Sequence, residues 1–144
     1  MERLLTLKQE FEKKYPRWIF KLEECTEDIK LQDKAVYLIV TGETEKEKQK
    51  TLEVSFFFLR TKVKDGFLNF RKEVKEFIKF VREVIDDFSF NSLSWNIDYG
   101  VETKEGSLRV AEIKATFDIT GTATIEDGMM MNVLNLKFLG GKNG

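Results

Sequence analysis

The segment from Phe67 to Phe88 leaves this chain little choice of architecture. Phe67, Phe70, Val74, Phe77, Ile78, Val81, Val84, Ile85 and Phe88 recur at three- and four-residue spacing, and Arg71, Lys72, Lys75, Lys79, Arg82, Glu83 and Asp86 fill the opposite side. In an α-helix that spacing, sustained for about six turns, gathers the apolar side chains into one stripe that must be laid on another apolar surface. A β-sheet face is the surface such a phenylalanine-rich stripe suits. Asp65 or Gly66 stands where the helix would be capped.

The rest of the chain supplies that sheet. Leu4, Leu7 and Phe11 share a helical face over Glu2 to Lys14, and Pro16 ends that helix. Trp18, Phe20 and Leu22 alternate with polar or less apolar neighbours, which predicts a strand from Arg17 to Glu23. Cys25 to Lys34 has no period and reads as a loop. Ala35 to Val40 and Thr51 to Leu59 are β-branched and aromatic runs joined by the charged segment Gly42 to Lys50, a long hairpin. Near Phe57 both phases of its second strand turn apolar, so that end needs a cover on two sides, from the chain itself or from a partner.

Past the long helix, Leu93, Trp95, Ile97, Tyr99 and Val101 alternate with polar residues as a half-buried strand. The turn Glu102 to Gly106 leads into a strand from Ser107 to Thr120, whose apolar residues change phase after Val110. A β-bulge near Ala111–Glu112 would reconcile the two phases. Asp127-Gly128 joins Thr122–Glu126 to Met129–Phe138 as a last hairpin, because Gly readily takes the positive φ of a tight turn. Gly140 to Gly144 reads as a frayed tail. The expected fold is α+β: a twisted antiparallel sheet, the long helix and the N-terminal helix on one face, and a C-terminal β-hairpin. Residues 1–120 form the domain, and 121–144 an extension that belongs to it or docks on a partner. Phe77 and Trp95 are expected in the core of the helix–sheet layer.

Chemistry narrows the function classes. The 144 residues include no His and one Cys, which excludes Ser-His and Cys-His catalysis, His-ligated zinc and cysteine cages. Cys25 suits a small, buried apolar role rather than that of a nucleophile, and a reducing compartment. Lys plus Arg is 24 against Asp plus Glu 25, a net charge of −1, so no long-range field favours nucleic acid or an anionic membrane. No stretch approaches the roughly 18 apolar residues of a spanning helix, and Met1 to Glu10 reads as amphipathic rather than as a signal peptide. No phosphate-binding glycine motif is present. Asp86-Asp87 and Glu126-Asp127 suit a helix end and a turn better than an acid–base dyad. No cofactor or metal is expected.

Two segments carry candidate contacts. Thr41 to Lys50, with Glu43, Glu45, Lys46, Glu47 and Lys48, is longer than an ordinary hairpin connection. It is either a solvated tip or an arm whose charges set register against a neighbouring subunit. In a strand, alternate members of Met129, Met130 and Met131 face opposite sides, so at least one needs a second covering surface. That surface is the chain's own core or another protein, and docking on another chain is the expectation for the last hairpin. A pocket between sheet and long helix lined by Trp18, Phe56, Trp95 and Phe117 would instead suit a small-ligand carrier.

The layout resembles the tail terminator proteins of long-tailed bacteriophages and phage-tail-like particles. The resemblance lies in the opening helix ending at Tyr15-Pro16, in Ala35–Leu38 and Leu52–Phe56 with a charged loop between, in the helix Phe67 to Phe88, and in Trp95–Tyr99 and Ala115–Ile119. It covers residues 2 to 120 and rests on element order and loop placement; Gly121 to Gly144 extends past the point where the shortest members end. It implies a structural, non-catalytic virion protein made in the cytoplasm of a bacterial host. Six copies would form a ring capping the head-proximal end of the tail tube, stopping its polymerisation and joining it to the head. The implied partners are further copies of the chain, the tail tube protein, the head–tail connector and, in a sheathed tail, the sheath, without sequence-specific nucleic acid or membrane. A tail tube or other tail-completion subunit is the nearest alternative. In a ring, the edge strands and the long hairpin loop, rather than the charged side of the long helix, are expected to supply the subunit interface.

Overall fold

The computed structural model describes residues 2–86, 88–95 and 107–118. The chain runs α1 (Glu2–Lys14), β1 (Ile19–Glu23), a single 3-10 turn (Thr26–Asp28), β2 (Ala35–Lys46), β3 (Gln49–Thr61), α2 (Phe67–Val84), β4 (Phe88–Ser94) and β5 (Leu108–Asp118). The five strands form one sheet in the order β1-β2-β3-β5-β4. Both helices lie on the same face: Phe11 of α1 meets Phe20, and Phe77 of α2 meets Phe56 and Phe58. The α+β class and the two helices on one sheet face agree with the sequence expectation. The C-terminal hairpin, Met129–Met131 within it, and the segment 96–106 lie outside the described residues.

The sheet is mixed rather than wholly antiparallel. β1 pairs with β2 in parallel, from Ile19 opposite Ala35 to Glu23 opposite Ile39. The cause is the connection from Glu24 to Lys34, long enough to carry the chain back to the starting end of β1, which a tight turn cannot do. β1 opens at Ile19, not Arg17, because Tyr15 to Trp18 turn, with the Trp18 amide donating to the Tyr15 carbonyl at 3.1 Å. The connection also covers the sheet's other face: Ile29 and Leu31 pack there, the Tyr37 hydroxyl donates to the Lys30 carbonyl at 2.8 Å, and the Gln32 amide donates to that hydroxyl at 2.9 Å.

Both faces are therefore buried at that end of the sheet. Phe56 and Phe58 enter the core beneath the helices, whereas Phe57 joins Ala35, Tyr37, Ile39, Leu59, Leu108 and Val110 on the other side. Part of the two-sided cover needed at Phe57 thus comes from the chain's own β1–β2 connection. The same fact removes the bulge expected at Ala111–Glu112. β5 pairs with β3 without a register shift, Leu108 and Val110 facing one core while Ala111, Ile113, Ala115 and Phe117 face the other. The irregularities lie instead between Val40 and Gly42 in β2 and between Phe90 and Ser92 in β4.

Two boundaries also differ. α2 ends at Val84, because Ile85 takes an extended backbone (φ −120°, ψ 106°), and Phe88 opens β4 instead of closing the helix. Phe88 still reaches the core, its ring centre 5.7 Å from that of Phe117, so the apolar spacing runs on while the secondary structure changes. The strand expected from Leu93 starts earlier, at Phe88, and Trp95 follows its end. At its N-terminus α2 is capped by Gly66 without a side-chain hydrogen bond, and Asp65 takes a left-handed conformation (φ 60°). Phe77 is fully buried, as expected; Trp95 is only half-buried, against Phe67 and Phe70.

Candidate functional site

The charged segment between the core runs of β2 and β3 is strand, not loop. The ladder continues through Glu43–Leu52, Thr44–Thr51, Glu45–Lys50 and Lys46–Gln49, and only Glu47 and Lys48 turn the chain, Glu47 at φ 52°. Opposite charges face each other across it, with Lys50 Nζ 4.0 Å from Glu45 Oε1. Among the described residues β5 reaches Asp118 opposite Thr51, and β1 reaches Glu23 opposite Ile39. Among the described residues, β2 beyond Ile39 therefore has no strand on its outer side, and β4 has none on its own. Glu43, Glu45, Lys46, Glu47 and Lys48 are all exposed on this arm.

The position of α2 sorts its charges into two sides. Leu68, Arg71, Lys72, Lys75, Lys79 and Arg82 recur at three- and four-residue spacing along one side of the helix. That side overhangs β4: Lys75, Ile78, Lys79 and Arg82 form a hollow of about 270 Å³ with Phe90 and Leu93, and the Arg82 guanidinium lies 5.9 Å from the Phe90 ring centre. A second hollow, of about 460 Å³, is lined by Leu68, Arg71, Lys72, Lys75, Glu76 and Lys79. Leu68 is 75% exposed and Phe90 37%. Glu73 lies on the other side of α2, toward α1, and Glu76 stands at the border between the two sides, lining the second hollow and also acting on Tyr15. There Glu73 accepts from Arg60 Nε at 2.8 Å, while burial, then Glu76 and Glu73, push the Tyr15 phenol up. Arg60 also donates to Asp33 at 2.8 Å, tying the β1–β2 connection to the sheet. Its burial works against the charge, yet Glu73 and Asp33 outweigh it and raise its pKa.

Where α2 begins, two arginines bracket an aromatic ring. The Arg71 guanidinium lies 5.4 Å from the Trp95 ring centre and 5.9 Å from that of Phe67; Arg109, from β5, lies 5.4 Å from Phe67 on the sheet side. Such cation–ring contacts contribute about 0.5–2 kcal/mol each, more as they lose water. Arg109 Nη2 donates to the Val63 carbonyl at 3.4 Å.

The opposite corner of the molecule is acidic. Glu23 ends β1, and Glu24, Glu27 and Asp28 follow it around the 3-10 turn, all three exposed. Burial pushes the Glu23 carboxyl up, and Asp28 and Glu24 add to this, while Lys21 opposes it. Cys25 is exposed here rather than buried as expected, because it starts the 3-10 turn at the surface beside Glu27 and Asp28. Hydrogen bonds to Glu27 and Asp28 push its thiol up to about 11, so little thiolate is present at neutral pH and the residue is a poor nucleophile.

Neither corner was singled out by the sequence reading. The signal for the first was the three-four spacing of the cations within α2, which separates them from Glu73. The rings expected to line a ligand pocket mostly meet other rings: Phe56 meets Phe77 and Phe117, Trp18 meets Phe58 and Phe11, and Trp95 meets Phe67 and Phe70. A polar hollow of about 350 Å³ on the far face, lined by residues including Ser55, Glu53, Glu112 and Lys114, carries charges of both signs; Ser55 donates to Glu112 there at 3.3 Å. Among the described residues no cluster of His, Cys, Asp and Glu could hold a metal ion, and no helix is long and apolar enough to cross a membrane. No protein-family model and no curated protein matches the chain.

Proposed function

We propose that the protein is a structural ring subunit of the tail-terminator kind, which caps a phage or phage-like tail tube and joins it to the head. One observation carries the reading: among the described residues, the sheet has open strand edges at both of its ends. The outer side of β1 and distal β2 form one edge, and β4 forms the other. Open edges are templates for pairing with another chain. Two different edges used head to tail generate a closed ring when the rotation between copies closes. The order helix, strand, long hairpin, long helix, two strands accords with the terminator resemblance, and the exposed charges of the β2–β3 tip offer a further contact. The reading calls for no catalytic residue; its work is done by shape and by subunit contacts.

Mass photometry tests it directly. Alone at high concentration or on isolated tail tubes, the 16.9 kDa chain should assemble into particles of six copies, and tubes bearing them should stop growing. Stacking of rings into open-ended tubes would identify a tube subunit instead. A monomer that neither assembles nor binds tubes would refute the proposal.

A further inference from the structure

We infer that the groove between α2 and β4 binds single-stranded nucleic acid without reading its sequence, the cations of α2 tracking phosphates while the rings on and just after β4 offer faces to the bases. The inference goes beyond the ring reading and does not depend on it.

An arginine–ring pair marks each end of the groove. The Arg82 guanidinium lies 5.9 Å from the Phe90 ring centre, and that of Arg71 lies 5.4 Å from the Trp95 ring centre. The chain reverses between α2 and β4, so the two pairs stand about 16 Å apart along the helix axis, the length of a short run of nucleotides. Between them Lys75 and Lys79 border the hollow of about 270 Å³ that Ile78, Phe90 and Leu93 also line. Phe90 is 37% exposed there.

The net charge of −1 conceals this surface, because a sum over the chain says nothing of where the charges stand. Among the described residues Arg71, Lys75, Lys79 and Arg82 form no ion pair within 4 Å, and no carboxylate of those residues lines the hollow against β4. Glu76 and Glu83 follow each other along α2 on the side of the cations away from Ile78, so they weaken the field there without lining that hollow. Phosphates that replace the counterions of such a stripe release them, which favours binding at low salt. Bases in a duplex are stacked on one another, whereas a single strand leaves their faces free for rings and guanidinium planes, whatever the base. An acidic peptide would use the cations but leave the arginine–ring pairs without a flat partner. Another strand pairing with the edge of β4 uses backbone groups in the plane of the sheet, whereas the groove opens on its helix face, so the two contacts use different surfaces.

Fluorescence anisotropy of a labelled oligothymidylate, and of a duplex of equal length, tests this across a salt series. The single strand should bind more tightly than the duplex, and its affinity should fall with salt at a logarithmic slope of about −3, as roughly four phosphate contacts require. Lys75→Gln with Lys79→Gln, both exposed, should weaken binding at least about tenfold at low salt and bring the slope to about half. Phe90→Ala should weaken binding roughly tenfold with the slope unchanged. Lys46→Gln with Lys48→Gln, on the exposed β2–β3 tip, should leave affinity and slope as in the parent, and all three variants should keep the parent's circular dichroism. No binding at low salt, or parental affinity and slope in the α2 variant, would overturn the inference. Equal binding of duplex and single strand with Phe90→Ala silent would reduce the basic side to a general polyanion surface and overturn it too. Displacement of the oligonucleotide by polyglutamate at equal charge concentration would assign the groove to an acidic protein, with the same result.

Discussion

Replacing Phe77 by Ala removes the ring at the centre of the helix–sheet layer. Phe77 is fully buried, and its ring centre lies 5.4 Å from Phe56, 5.5 Å from Phe58, 5.9 Å from Phe11 and 6.5 Å from Phe80. Those four rings come from β3, α1 and α2, each anchored by its own element, so the surroundings can collapse only slightly into the space left. A buried Phe→Ala change costs about 3–5 kcal/mol in lost burial and cavity formation, and limited relaxation places this site in the upper half, about 4–5 kcal/mol. That is a large share of a net stability of about 5–15 kcal/mol. At about 2–4 °C per kcal/mol for a chain near this size, the midpoint should fall by roughly 10–20 °C. Urea unfolding followed by far-ultraviolet circular dichroism reads the change, with Leu68→Ala, at a 75% exposed position, expected within about 0.5 kcal/mol of the parent. A loss below about 1 kcal/mol for Phe77→Ala, or one equal to that of Leu68→Ala, would show that α2 does not lie over β3 through this side chain.

Trp95→Ala should cost less, about 1–3 kcal/mol, because the half-buried ring loses only its contacts with Phe67, Phe70 and the Arg71 guanidinium; equal losses at Trp95 and Phe77 in the same urea titration would contradict this ordering. Deleting Glu45 to Lys48 leaves Thr44 opposite Thr51 with Gln49 and Lys50 as a two-residue turn, so monomer unfolding should change little while capping of tubes fails; tubes of normal length would reduce the tip to solvated surface. Burial pushes the Tyr37 phenol above its ordinary 10.0, although hydrogen bonds with Gln32 and Lys30 pull the other way. A raised folded pKa gives stability that is present below pH 10 and lost as pH rises through the folded value. Tyr37→Phe should therefore cost about 0.5–1.5 kcal/mol at neutral pH and flatten the decline of urea midpoints above about pH 10; parallel declines in both proteins would show that Tyr37 is not its source.

The cations of α2 and the rings of β4 are each visible in the sequence, but the groove between them is not. Helical periodicity says that Phe70, Val74, Phe77 and Val81 share a face and that Lys75 and Lys79 lie off it, because side-chain direction repeats within a few residues of chain. For the same local reason it delimits α1, finds the β2–β3 hairpin and alternates Phe56, Phe57 and Phe58 between two faces. Which face receives a cover, and from where, depends on contacts between residues far apart in the chain. A strand apolar in both phases, as β5 is across Val110 and Ala111, looks the same whether it bulges or is covered twice, and only the β1–β2 connection packed on the far face excludes the bulge. That connection also makes β1 parallel to β2, since length alone does not say at which end of a sheet a loop returns. The end of α2 was hidden because Phe88 keeps the apolar spacing while joining the core from the sheet. The groove that brings Arg82 to Phe90 and Arg71 to Trp95 exists only once the chain reverses after α2 and β4 is set beside β5, because no repeat of side-chain direction carries across that reversal.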